Sequence, residues 1–142
     1  MATGQLAVEP PVRASVRIPG VPVLLYHGLT GPAESEVPPR EAKYWVSAAR
    51  FKDHLELINR SGYRVTLLQE LWNATNASDH AKSLVVLTFD DGRASDYQVA
   101  YQLLLEAGLR ALFFVNTAAI GQQGYLNWAN ISEMERAGMS FQ

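Results

Sequence analysis

The stretch Leu84-Val85-Val86-Leu87-Thr88-Phe89, closed by Asp90-Asp91-Gly92, constrains the fold of this chain more than any other. Four apolar residues in a row, with turn formers behind them, read as a strand buried on both faces, as in a parallel sheet covered by helices. Parallel neighbours need crossover segments, usually helices, and the flanking sequence supplies them. After the acidic pair, Tyr97, Ala100, Leu103, Leu104 and Ala107 recur at helical spacing and stop at Gly108, with Ser95 or Asp96 as the expected cap. Residues 111–115 read as a further buried strand, 128–137 as a helix stopped by Gly138, and 139–141 as the start of one more strand.

Upstream, residues 21–26 are a short apolar run and read as a buried strand. Ser47 is an N-cap candidate for a helix carrying Phe51, Leu55 and Ile58, with Gly62 at its C′ position. Residues 63–66 suggest a short strand, 67–72 a turn or two of helix and 73–82 a polar loop. The alternation is the grammar of an α/β fold with a parallel sheet or barrel. The segment between Gly28 and Tyr44, with Pro32, Pro38 and Pro39, is long for a connection, and such loops are usually functional or disordered. Residues 1–20, with Pro10-Pro11, read as an extended arm, which leaves 21–142 as one domain or part of one.

With 48% hydrophobic and 18% charged residues, the 142-residue chain is globular in composition. A formal net charge of -2 gives no electrostatic case for nucleic acid or an anionic membrane. The absence of cysteine removes disulfides, thiolate metal sites and cysteine nucleophiles together. Any metal must therefore be held by His, Asp or Glu. No apolar h-region of a signal peptide and no run long enough for a membrane span is visible.

Asp90 and Asp91 stand where a parallel strand leaves the core and its end faces a ligand crevice. Consecutive strand residues point to opposite faces, so the two carboxylates share a site only where the strand breaks, and Gly92 permits that break. Crowded carboxylates repel unless a cation or a shared proton relieves them. One Asp can hold a metal while the other accepts a proton from attacking water. A bare Asp-Asp-Gly is more often a solvated turn; the buried strand and Thr88-Phe89 in front of it favour a site.

Thr88-Phe89-Asp90-Asp91-Gly92 resembles the first motif of polysaccharide deacetylases, the NodB-like carbohydrate esterase family four. Residues 22–27 are similar to that family's opening strand, 51–63 to its first helix and Gly-Tyr turn, and 111–115 to the strand after the motif helix, with Leu112 where threonine is common. Tyr125 to Trp128, with Met134 and Gly138, resemble its next helix. The resemblance implies the N-terminal portion of a distorted (β/α) barrel, Asp90 as catalytic base and Asp91 as metal ligand. It further implies a divalent metal, zinc by family, and an acetylated polysaccharide as partner. The activity implied is hydrolytic removal of acetyl groups, mostly N-acetyl, across non-peptide carbon–nitrogen bonds. The implied setting is the cell envelope or the extracellular space. Which polysaccharide is taken, and the oligomeric state, are not written in these residues.

The family's second motif, two histidines spaced i, i+4 that complete the metal site, follows a segment like residues 138–142, and the sequence ends there. The later motifs, with an arginine, further acids and a histidine general acid, are absent too. The expectation is an incomplete catalyst. Of the histidines present, His54 borders the first helix, His80 falls in a polar loop, and His27 alone ends a strand at the mouth where Asp90 and Asp91 sit. A non-catalytic relative that binds glycans or a protein partner is the alternative. A phospho-acceptor receiver domain is excluded, because no Asp follows Asp96 and no Lys follows Lys82.

Three triplets, beginning at Asn73, Asn76 and Asn130, match the glycosylation pattern by chance. Trp72 and Trp128 sit at helical positions and read as core, whereas Trp45 borders the long loop and is the better sugar-stacking candidate. Arg93 and Tyr97 either line the groove or dress a helix N-terminus.

Overall fold

The computed structural model describes residues 20–31, 41–74 and 83–142, with the side chains of 72–74 excepted. The extended-arm reading of residues 1–20, the Trp72 assignment, His80 and the triplets at Asn73 and Asn76 fall wholly or largely outside them. The elements in chain order are β1 Val23–Tyr26, β2 Gly28–Thr30, a 3₁₀ turn Ala42–Tyr44, β3 Trp45–Ser47, α1 Ala48–Arg60, β4 Arg64–Val65 and α2 Leu68–Ala74. They continue with β5 Leu84–Phe89, a π-wound turn Asp96–Tyr101 running into α3 Gln102–Ala107, and β6 Leu112–Phe113. A 3₁₀ turn Thr117–Ala119, α4 Trp128–Arg136 and β7 Ser140–Phe141 complete them.

β5 is the centre of the sheet. β1 lies along one edge in parallel register from Val23↔Val86 to Tyr26↔Phe89. β4 and β6 pair with β5 in parallel as well, and β7 follows beyond β6. All six residues of β5 are buried, as the apolar run requires.

The two faces of this sheet differ. Tyr26, Val85, Leu87, Phe89 and Phe113 point into the core beneath the helices, where they meet Phe51, Leu55, Leu104 and Met134. Their rings form a continuous stack. Phe89 and Phe113 centroids lie 4.8 Å apart, Tyr26 and Phe89 5.2 Å apart, and Phe51 meets Phe89 edge-on at 5.7 Å. Offset and edge-on ring pairs add about 0.5–1.5 kcal/mol each beyond their area. The other face, with Val23, Leu25, Val86, Thr88, Leu112 and Phe114, lines an open groove of about 650 Å³.

This corrects one expectation. Residues 21–26 read as a buried strand, yet Val23 and Leu25 are 57% and 54% exposed, because alternate residues of β1 face the groove. The segment read as one long connection also holds a missed element. β2 pairs in parallel with β3, Gly28↔Trp45 through Thr30↔Ser47.

The helix boundaries follow their caps. Ser47 Oγ accepts from the backbone N–H of Arg50 at 3.2 Å and starts α1, and Gly62 follows its end at φ 77°. Gly108, at φ 67°, caps α3. Helical winding already includes Ala94 and Ser95, and neither Ser95 nor Asp96 caps it: Ser95 Oγ accepts from Leu29 N–H instead.

Trp128 is 68% exposed, contrary to its core reading. The residues around it explain why. Asn127 and Asn130 form a reciprocal capping box at the start of α4. Leu126 before the cap and Ile131 in the second turn are both buried, the positions of a hydrophobic staple. Leu126 thus takes the core place at this entry and Trp128 faces outward. The Asn130 side chain is used in the cap.

Candidate functional site

Asp90 leaves β5 with its backbone N–H donated to Tyr26 O at 2.9 Å, so β1 holds the strand end in place. The chain then turns sharply through two left-handed residues, Asp91 at φ 75° and Gly92 at φ 68°. Asp is among the few non-glycine residues that adopt this region. At Gly92 a side chain is excluded on a second ground, since a Cβ would lie 3.0 Å from Val115 Cγ1. The turn is fixed from outside as well. Leu126 N–H donates to Gly92 O and Ala94 N–H to Gly124 O, both at 2.9 Å.

The break separates the two carboxylates by environment. Asp90 lines the large groove, among Thr88, Val115 and Asn116. Asp91 lines that groove and also a smaller cleft of about 350 Å³, with His27, Glu41, Tyr44, Trp45 and Arg93. Asp91 Oδ2 lies 3.3 Å from Arg93 Nη2 and 3.7 Å from His27 Nδ1. His27 and the acidic pair are thereby brought to one rim. His54 is elsewhere, its Nδ1 3.2 Å from the Tyr26 hydroxyl.

Arg93 lines the cleft, whereas Tyr97 does not. The Tyr97 hydroxyl donates to Glu133 Oε2 at 2.8 Å and ties the π-wound turn to α4. That bond, with a smaller contribution from burial, raises the phenol's pKa above its ordinary value. Trp45 reaches the cleft as a wall, its indole lying over Gly28 so closely that a Cβ there would come within 2.7 Å of the ring.

Among the described residues, no group of three or more His, Asp or Glu side chains is disposed to hold a metal. Asp91 and His27 make a two-donor rim, and Asp91 already has a cationic partner in Arg93. A zinc site takes three or more protein ligands. The described residues therefore do not by themselves fit the zinc centre that the sequence motif implies.

Sequence reasoning missed Glu41, Tyr44, Tyr125 and Asp96. The first two lie in what read as a connection, and Tyr125 carried no periodic signal. Asp96 was legible. It stands four residues before Ala100 and eight before Leu104, on the buried stripe of its helix.

Asp96 is fully buried, and no hydrogen bond meets either carboxylate oxygen. Burial pushes its carboxyl well above the ordinary range. The charges of Asp91 and Asp90 add to this, while the Arg93 backbone and guanidinium offset it in part. A folded-state value above the unfolded one means full stability below the unfolded value, near pH 4, lost as pH rises through the folded value. Asp96→Asn cannot ionise. Its urea midpoint at pH 7 should exceed that of the parent by an amount equivalent to about 1–3 kcal/mol, with the gap closing towards pH 4. A gap that does not close would show that Asp96 is not the titrating group.

With this geometry in place, comparisons with known proteins are specific. Residues 77–142 match the family model described as Polysaccharide deacetylase. YxkH of Bacillus subtilis (strain 168), whose name assigns it to the polysaccharide deacetylases, is 28% identical over 123 residues, 86% of this chain and 41% of its own length. The solved Streptococcus pyogenes deacetylase PplD, in complex with acetate, superposes with TM-score 0.73 at 29% identity over 87% of this chain and 55% of its own. IcaB from Ammonifex degensii gives 0.72 at 28% identity over 86% and 51%. By family model, relative and solved structures alike, the chain is similar to polysaccharide deacetylases, and it spans about half the length of those it matches.

Proposed function

We propose that this chain supplies the base and one ligand of a metal-dependent site that hydrolyses acetyl groups, mostly N-acetyl, from a polysaccharide. The observation that carries the reading is the break at Asp90–Asp91. It sends one carboxylate into the large groove and the other to a rim shared with His27.

Asp90 is the residue placed to accept a proton. It stands at the C-terminal end of β5, beside Val115 and Asn116 and next to the acidic rim. Asp91 is the ligand in this reading, with His27 beside it. Zinc is the ion the family resemblance implies, and further ligands have to be supplied from beyond the described residues. The Tyr44 and Trp45 rings of the smaller cleft suit the faces of sugar rings.

One observation favours a second reading. With fewer than three metal donors grouped at the rim among the described residues, the second reading has the chain bind glycan without hydrolysing it. The two are separated by incubating the protein with an N-acetylglucosamine oligomer and measuring acetate release, with added zinc and with a chelator. Zinc-dependent release supports the first reading. Glycan-induced NMR shifts without acetate support the second.

A further inference from the structure

The guanidinium of Arg93 connects three segments that are far apart in sequence. Nη2 lies 3.0 Å from Glu41 Oε2 and 3.3 Å from Asp91 Oδ2. The group stands over the Tyr125 ring at 5.2 Å, and its backbone forms an antiparallel bridge with Tyr125. The Arg93 side chain is only 19% exposed, so these charges are screened less than a surface pair.

Glu41 stands at the head of the segment that makes the cleft wall. Directly behind it come Tyr44, whose ring centroid lies 5.3 Å from that of His27, and Trp45, packed over Gly28. Trp45 opens β3, which pairs with β2 through three register pairs in a separate two-stranded sheet. Leu29 of β2 is buried in the core and Val46 of β3 packs against it, while the Glu41–Arg93 pair holds the turn that leads into β3. The contact with Glu41 is an ion pair and not an aligned hydrogen bond, because Glu41 Oε2 and Arg93 Nε are buried without hydrogen-bond partners. It therefore acts as a charge latch.

We infer that Arg93 is a positioning residue that works through Glu41, latching residues 41–47 across the Asp91 rim as the aromatic wall of the smaller cleft. The deacetylase reading enters only in what that wall would face, a sugar ring beside the acetyl group being removed. With the latch open, Tyr44 and Trp45 leave the rim, and the cleft between His27 and Arg93 loses one side. Asp91 keeps its own contact with Arg93 in either state.

The test needs neither metal nor glycan, so a failed acetate assay would not decide it. Amide hydrogen exchange of residues 28–30 and 45–47 is measured by NMR in the parent, Arg93→Gln, Glu41→Gln and the double variant. The Trp45 indole N–H signal, identified by its loss in Trp45→Phe, is followed in parallel. Each single variant should speed exchange in these residues about tenfold and move the Trp45 signal to the same new position. For exchange at residues 45–47 the double variant should be no worse than Arg93→Gln alone, since Glu41 acts on this wall through Arg93. Arg93→Lys, which keeps the charge without the planar fork, should restore part of the protection. Two results would overturn the latch. One is single-variant effects that add; the other is a lowered urea midpoint with exchange at 45–47 and the Trp45 signal unchanged.

Discussion

Under the proposed deacetylase reading, Asp90→Asn should lower whatever acetate release the parent chain shows by about 10²–10⁴-fold, the range that a positioned proton acceptor contributes. The substitution is close to isosteric. It keeps the backbone donation from Asp90 to Tyr26 that holds the strand end, and it leaves Asp91, His27 and Arg93 in place. Folding should therefore be unaffected, with an unchanged urea midpoint and an unchanged Trp45 indole signal. Loss of rate with retention of cation binding is the signature of a base that is not a ligand. A variant that kept more than about a tenth of the parent rate would remove Asp90 from that role.

Much of this site was legible because a single strand announces it. The run from Leu84 to Phe89 is buried throughout, with helices packed on one face and the groove on the other, and the position of Asp90 and Asp91 at its end follows from that run. The parallel sense of the sheet was implicit in strands separated by helical stripes. His27 was placed at the rim by the same logic, as the residue after β1. These inferences rest on period and burial, which local sequence encodes directly.

The elements that escaped were set by tertiary contacts. Val23 and Leu25 belong to an apolar run, and nothing local shows that one face of it opens on a groove. β2 and β3 are three residues each, too short for alternation to register, and they meet by parallel pairing with Trp45 packed over Gly28. Trp128 occupies a helical position of the right kind, but Leu126 had already taken the core place ahead of the cap. The buried Asp96 is a different case. Its helical spacing was visible, and a charged residue on an apolar stripe read as a cap because caps are where Asp usually stands. The left-handed backbone at Asp91 was likewise hidden, since Gly92 alone seemed enough to make the turn.

The division of labour between Asp90 and Asp91 is the centre of the account, and a cation titration reads it most directly. Oxygen and imidazole donors suit Mn²⁺, whose paramagnetism broadens nearby amide signals even when binding is weak. In the parent, Mn²⁺ should broaden the amides of Asp91, Gly92 and His27 first, because Asp91 Oδ2 and His27 Nδ1 already lie 3.7 Å apart on one rim. Asp91→Asn removes the charged ligand and should abolish that pattern entirely, while Asp90→Asn should leave it in place. Broadening at the rim that survives Asp91→Asn, or that is lost in Asp90→Asn instead, would contradict the assignment of ligand and base made here.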